Sequence, residues 1–353
     1  IDVEMSFVEE TEDVMYPIEG LIKSIFRSAI GLDLGEGHFR TMTYKDAMEN
    51  YGSDKPDTRF GLKIVNLSDI FASSSFKVFT DALAIEIGPI RGSVRAINAK
   101  GLAEKFSRKE LDATVEYAKT LGAKGLCWIN WQKGGEIKSS FAKFLTAEEL
   151  EAVKERMNFE EGDTLFLAAD KDYVVFNTLG GLRLMLADKY KLVDKNVYDV
   201  LWINEFPMFE WSEEENRYMA VHHPFTAPMN EDLELCETDP SKARAKAYDL
   251  VINGQEAGGG SIRLRGCFQL RRSPARRACV RAGSPYHAAL QGRIHPRRHR
   301  LPEGADGFRS DERSSRAGGR QTAERTRHCR LHGRIKWQRK AETRFCAPSA
   351  KAG

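Results

Sequence analysis

Hydrophobic and polar positions change period along this chain, and the changes mark its elements. IDVEMSFV alternates, with Asp2, Glu4 and Ser6 on one face and Val3, Met5 and Phe7 on the other, which predicts a half-buried strand. From Thr11 to Ile30 the period lengthens. Val14, Ile18, Leu21, Ile22, Ile25 and Phe26 form a helical stripe, and Pro17 marks a point where the first turn can kink or separate. YGSDKPDTRFG is polar and turn-rich around Lys55-Pro56, and reads as a structural hinge with no evident part in catalysis.

Residues 62–190 read as a separate unit. LKIVNL and KVF are strand-like, and IEIGPIRGSVRAIN is a glycine-bearing strand pair. Ser107–Leu121 is a helix with Leu111, Val115 and Ala118 as its stripe. Ser107 opens it with Glu110 three residues on, the pattern of a capping box. LCWINW and DTLFLAAD are short strands, and Thr146 with Glu149 repeats the capping pattern before LEAVKERM. Asp172–Tyr190 is helical, with Val175, Leu179, Leu182 and Met185 as packing positions. Such alternation implies a compact α+β module. Val200–Trp211 is an aromatic-rich, strand-like return, Ser212–Arg217 a charged turn and Met229–Pro240 an acidic loop.

The densest chemistry lies between Met219 and Arg263. Tyr248–Ile252 is a β-type run, and Asn253-Gly254 after it is a strong hairpin signal because both residues accept positive φ. With that turn, Ile252 faces Gln255 and Val251 faces Glu256. Alternation then puts Asp249, Val251, Glu256 and Gly258 on one face. Asp249 and Glu256 become diagonal neighbours, roughly 7–8 Å apart. Two carboxylates so placed repel unless a cation lies between them, and Mg2+ shared with phosphates suits them. Gly258–Gly260 admits a ligand close to the backbone, and Arg263 offers a planar fork for a carboxylate. The plainer alternative is a solvated acidic face beside a glycine loop. Of the adjacent His222 and His223, at most one can face a site.

HHPFTAP followed by AYDLVINGQEAGGGSIR resembles the bacterial-type aspartyl-tRNA synthetases, class II enzymes. The resemblance implies an α+β fold: a class II-type antiparallel sheet with helices from residues 1–61 and 191–263, and an inserted α+β domain at 62–190. It implies Asp2, His222 and Arg263 as aspartate-binding residues, with Arg263 on the side-chain carboxylate. It implies Asp249 and Glu256 as Mg2+ ligands, with Glu256 also at ATP. The reaction implied is activation of L-aspartate to aspartyl-adenylate and transfer to tRNA-Asp, with tRNA-Asn left open. A cytoplasmic homodimer is implied as well. Gln255 departs from the pattern, since the family usually has tyrosine there. Two arginines of the family's ATP site are also missing as written, one upstream of Ile1 and one near Ser284, as is the anticodon-binding barrel. The chain is therefore expected to be a fragment without appreciable aminoacylation activity.

Composition adds one further division. The 353 residues are 41% hydrophobic, and no apolar run approaches a membrane span of about 20 residues. No secretory signal opens the chain. Cys127 sits in an apolar run and reads as core, and Cys236 lacks metal spacing. The net charge of +3 hides a split. Residues 264–353 carry 20 Arg and 3 Lys against 6 Asp and Glu, a balance of +17, so the first 263 sum to −14. A basic nucleic-acid arm would make the chain a non-catalytic RNA-binding protein. Cys329 and His332 have no second ligand pair at zinc spacing. A shifted reading frame explains more. Moved by one nucleotide, the codons of SPARRACVRAGSPYHAAL permit PPHGGLAFGLDRLTMLL, which resembles the third class II motif. The last 90 residues or so are thus expected to be out-of-frame translation and disordered.

Overall fold

A computed structural model describes residues 1–264 of the 353. Contacts divide the chain into Ile1–His295 and Pro296–Gly353, so every described residue belongs to the first unit. The expectations for the arginine-rich tail lie outside the described residues. No helix among the described residues is long and apolar enough to cross a membrane.

The fold is α+β, with two main sheets. One runs Arg40–Thr43, Val200–Asn204, Ala247–Ile252, Gln255–Ser261 in spatial order, antiparallel except for its first strand, which lies parallel to the second. Its strands alternate between two cores. Leu201, Ile203 and Val251 face a cluster with Ala47, Phe206 and Met208. Val200, Trp202, Tyr248, Leu250 and Ile262 face the helix Glu12–Ile30 through Met15, Val14 and Ile18. That helix runs unbroken through Pro17. A buried hydrogen bond from Trp202 Nε1 to Glu19 Oε1, 2.9 Å, ties it to the sheet.

The second sheet lies within residues 65–171 and centres on Ile90–Ala99, Thr164–Lys171 and Cys127–Trp131. Helices Arg108–Thr120 and Asp172–Lys189 cover one face through Leu111, Ala118, Val175, Leu179 and Leu182. Thr146 and Glu149 form the reciprocal capping box that their spacing predicts. Ser107 accepts the Glu110 amide, but the Glu110 carboxylate is engaged by Lys189, so the second half of that box is absent.

Three further expectations are corrected. Residues 1–8 form no strand. Ile1 is 99% and Phe7 102% exposed, and an alternating segment stays unpaired without a neighbouring strand to receive its backbone groups. KVF begins the helix Lys77–Leu83, whose Phe79 and Ala82 bury one turn apart. Phe79 packs on Phe71, Phe76 and Phe141, and tertiary packing overrides β propensity. Val200–Trp211 is two strands, Val200–Asn204 and Phe209–Ser212, broken where Glu205 takes a φ of 54°. The second pairs with Arg217–Ala220 in a hairpin of its own.

Candidate active site

The site grows from the hairpin Ala247–Ile252 and Gln255–Ser261. Asn253 and Gly254 turn it at φ 54° and 77°, as the dipeptide predicts. Ile252 pairs with Gln255 and Val251 with Glu256. The register then shifts, so that Leu250 pairs with Gly258 and Asp249 with Gly259, leaving Ala257 as an inserted bulge residue. Asp249 and Glu256 share the Val251 face as expected. Gly258 does not, because the bulge turns it to the other side.

The glycines owe their place to the chain's own side chains as well as to any ligand. A Cβ on Gly259 would stand 2.1 Å from the Asp249 Oδ1, and one on Gly260 would strike the Tyr248 ring. Burial is the main reason that the Asp249 carboxyl is pushed up to about 6. The charges of Glu256 and Asp54 add to the rise, and Lys55 opposes it.

Lys55 and Asp54 were missed by sequence reasoning. The turn-rich loop that carries them is not only a hinge. Lys55 Nζ lies 3.0 Å from Glu256 Oε2 and 3.3 Å from Asp54 Oδ2. The loop is firmly seated. Arg183, 1% exposed, donates to the carbonyls of Asp57, Gly61 and Leu62 and stacks against Tyr51 and Phe60. The hairpin turn abuts the same loop, since a Cβ on Gly254 would reach 2.8 Å from the Asp57 Cβ. Only a tertiary contact 201 residues apart in sequence could reveal Lys55.

The far end of the hairpin meets the paired histidines. Thr226 bridges to Arg263, Ala227 N donates to Ile262 O, and Ile262 N to Lys246 O. Ile262 is buried on the Tyr248 side of the sheet, and Arg263 follows it past the end of the strand. The Arg263 guanidinium lies 5.5 Å from the Phe225 ring centre. Beside it is a cavity of about 340 Å³ lined by Val8, Glu10, Lys246 and Arg263 among others. Asp2 is exposed and does not line that cavity.

His222 and His223 lie in a bend rather than a strand, yet they diverge as expected. His223 is exposed and accepts the Phe225 amide at Nδ1. His222 is half-buried against Phe206, and burial holds its pKa below the usual histidine range. It is hydrogen-bonded to the Pro207 backbone, while its Nε2 is buried without a partner among the described residues. With the other ring nitrogen donating to the Pro207 carbonyl, the neutral ring presents Nε2 as an acceptor.

Comparison with known proteins gives the family. A family model described as tRNA synthetases class II (D, K and N) matches residues 1–278. The chain belongs to that family. It is 53% identical over 264 residues to the aspartate--tRNA ligase of Ruminiclostridium cellulolyticum, covering 75% of this chain and 43% of that protein. It is 53% identical, with the same coverage, to the aspartate--tRNA(Asp/Asn) ligase of Lachnoclostridium phytofermentans. The corresponding protein of Desulfotalea psychrophila is 50% identical over 264 residues, 75% of this chain and 42% of its own length. The chain thus spans less than half the length of these relatives.

The carboxylate pair fits the Mg2+ implied for this family. Among the described residues no group of three or more metal-binding side chains gathers. Mg2+ ordinarily takes one or two carboxylates and completes its shell with waters and substrate phosphates, so two acids on an open hairpin suffice. The raised Asp249 pKa comes first from burial and then from the neighbouring acids, and a cation between the two carboxylates would relieve the second of these. Cys127, whose thiol burial pushes up to about 12, is inert core.

Proposed function

We propose that this site binds ATP and L-aspartate for the synthesis of aspartyl-adenylate, and that the activated aspartate passes to the 3′ end of tRNA-Asp. The two acids Asp249 and Glu256 on one face, with Arg263 just past the end of the same hairpin, carry this reading. A bound Mg2+ would neutralise growing charge on the ATP phosphates. Asp249 and Glu256 would hold it. Arg263, where the hairpin meets Thr226, would take the side-chain carboxylate of the amino acid. Asparagine would leave that guanidinium facing an amide with no charge to pair, which is the physical basis for rejecting it. His222 Nε2, as an acceptor, suits the α-ammonium. Asp2, exposed and outside the cavity beside Arg263, would have to move to join the aspartate pocket. The whole enzyme would act as a cytoplasmic homodimer.

Attack by the α-carboxylate of aspartate on the α-phosphate of ATP, with pyrophosphate as the leaving group, needs little proton transfer. What this chain's residues supply is alignment and charge compensation. Calorimetry with a non-hydrolysable aspartyl-adenylate analogue tests the reading. Binding to the full chain is expected, at least tenfold tighter than the asparaginyl analogue, with the preference lost in R263A. Equal affinity for the two analogues would refute it.

A further inference from the structure

Lys55 is the one cation in ion-pair contact with Glu256 among the described residues, and it arrives from a loop far away in sequence. Its ammonium holds Glu256 Oε2 at 3.0 Å, on one of the two carboxylates proposed above to hold a divalent ion. Asp54 lies 3.3 Å from the same ammonium. The loop behind it is fixed by Arg183 on three carbonyls, by the Arg59–Asp57 ion pair at 2.7 Å, and by Arg40, Thr58 and Asp199 hydrogen-bonded to one another. Lys55 itself is 41% and Glu256 43% exposed, so the side chain can swing outward while its backbone stays in place.

We propose that Lys55 is a positioning residue that serves as a resident counter-ion of the site. In the free protein it holds Glu256 and keeps a lone divalent cation from the pair. When the metal arrives with nucleotide, the ammonium leaves Glu256 and turns to the phosphates, whose added negative charge draws it across. The inference rests on the proposed function for the identity of the ligand. It goes beyond that reading by coupling metal entry to nucleotide entry: the site would be weak for the metal alone and strong for the metal–nucleotide pair. A fixed unit charge next to a divalent ion changes its affinity by about tenfold or more at a half-exposed site.

Mn2+ titration followed by its electron paramagnetic resonance signal, without nucleotide, tests this on the full chain. K55M is expected to bind Mn2+ about tenfold more tightly than the parent protein, K55E more tightly still, and K55R with parental affinity. The gain in K55M should vanish when D249N is added, which assigns the ion to the carboxylate pair. With ATP present the order should reverse, and K55M should bind the metal–nucleotide pair more weakly than the parent. A lysine that only braced the loop would give equal weakening in K55M and K55E. That result, or unchanged Mn2+ affinity in both, overturns the proposal. The adenylate-analogue experiment is unaffected by either outcome, so failure here and failure of the functional reading are separable.

Discussion

Glu256 and Ile262 stand six residues apart along one run of chain, an even interval, yet they leave opposite faces of the sheet. Strict alternation would send them to the same face. The bulge at Ala257 resets the phase: Glu256 stays with Val251, while Gly260 and Ile262 move to the Tyr248 side. One inserted residue thus keeps the two acids on one surface while Ile262 closes the core under the helix Glu12–Ile30.

Two neighbouring glycines should respond oppositely to the same change. A methyl at Gly259 collides with the Asp249 carboxylate, whereas Gly258 has nothing within 4 Å of the corresponding position. G259A is expected to weaken Mg2+-dependent ATP binding by at least tenfold, and G258A to stay within about twofold of the parent. Equilibrium dialysis with labelled ATP reads both.

Stability should fall as Asp249 ionises. Its pKa rises from 3.8 to about 6 on folding, so the folded protein holds this proton more tightly than the unfolded chain. The contribution is full below about pH 3.8 and is lost as pH climbs through about 6. D249N should flatten that slope and raise stability near pH 7.5 by at most about 3 kcal/mol. Urea midpoints of both proteins at about pH 4.5 and 7.5 check it. Mg2+ binding, which needs the ionised carboxylate, should strengthen over the same interval.

His222 should remain neutral at physiological pH. Burial lowers its pKa below the ordinary histidine value, and its Nε2 has no hydrogen-bond partner among the described residues. Proton NMR of the ring should place its titration below that of a free imidazole. H222F should keep the fold and weaken the aspartyl-adenylate analogue about tenfold, because the acceptor is gone while the packing on Phe206 is retained.

Arg183 should be irreplaceable by lysine. Its fork serves the carbonyls of Asp57, Gly61 and Leu62 while its plane lies on Tyr51 and Phe60. R183M leaves those carbonyls unsatisfied, and R183K cannot span them. A loss of about 3 kcal/mol is expected for R183M and somewhat less for R183K, read from denaturant midpoints. Both should also mimic K55M in metal binding, because the loop that delivers Lys55 is loosened.

Local patterns sufficed for much of this protein. The Asn253-Gly254 turn, the Thr146 capping box, the helices after Ser107 and before Lys189, and the shared face of Asp249 and Glu256 are all set by residues within a few positions of one another. Tertiary structure decided the rest. The Val3–Phe7 alternation forms no strand, since pairing needs a partner that a pattern cannot supply. KVF becomes a helix because Phe79 finds an aromatic cluster assembled from distant segments. The bulge at Ala257, which resets the faces of the second strand, is a feature of register. Lys55 belongs to the site because charge attracts through space, and chain separation is irrelevant to an ammonium 3.0 Å from a carboxylate.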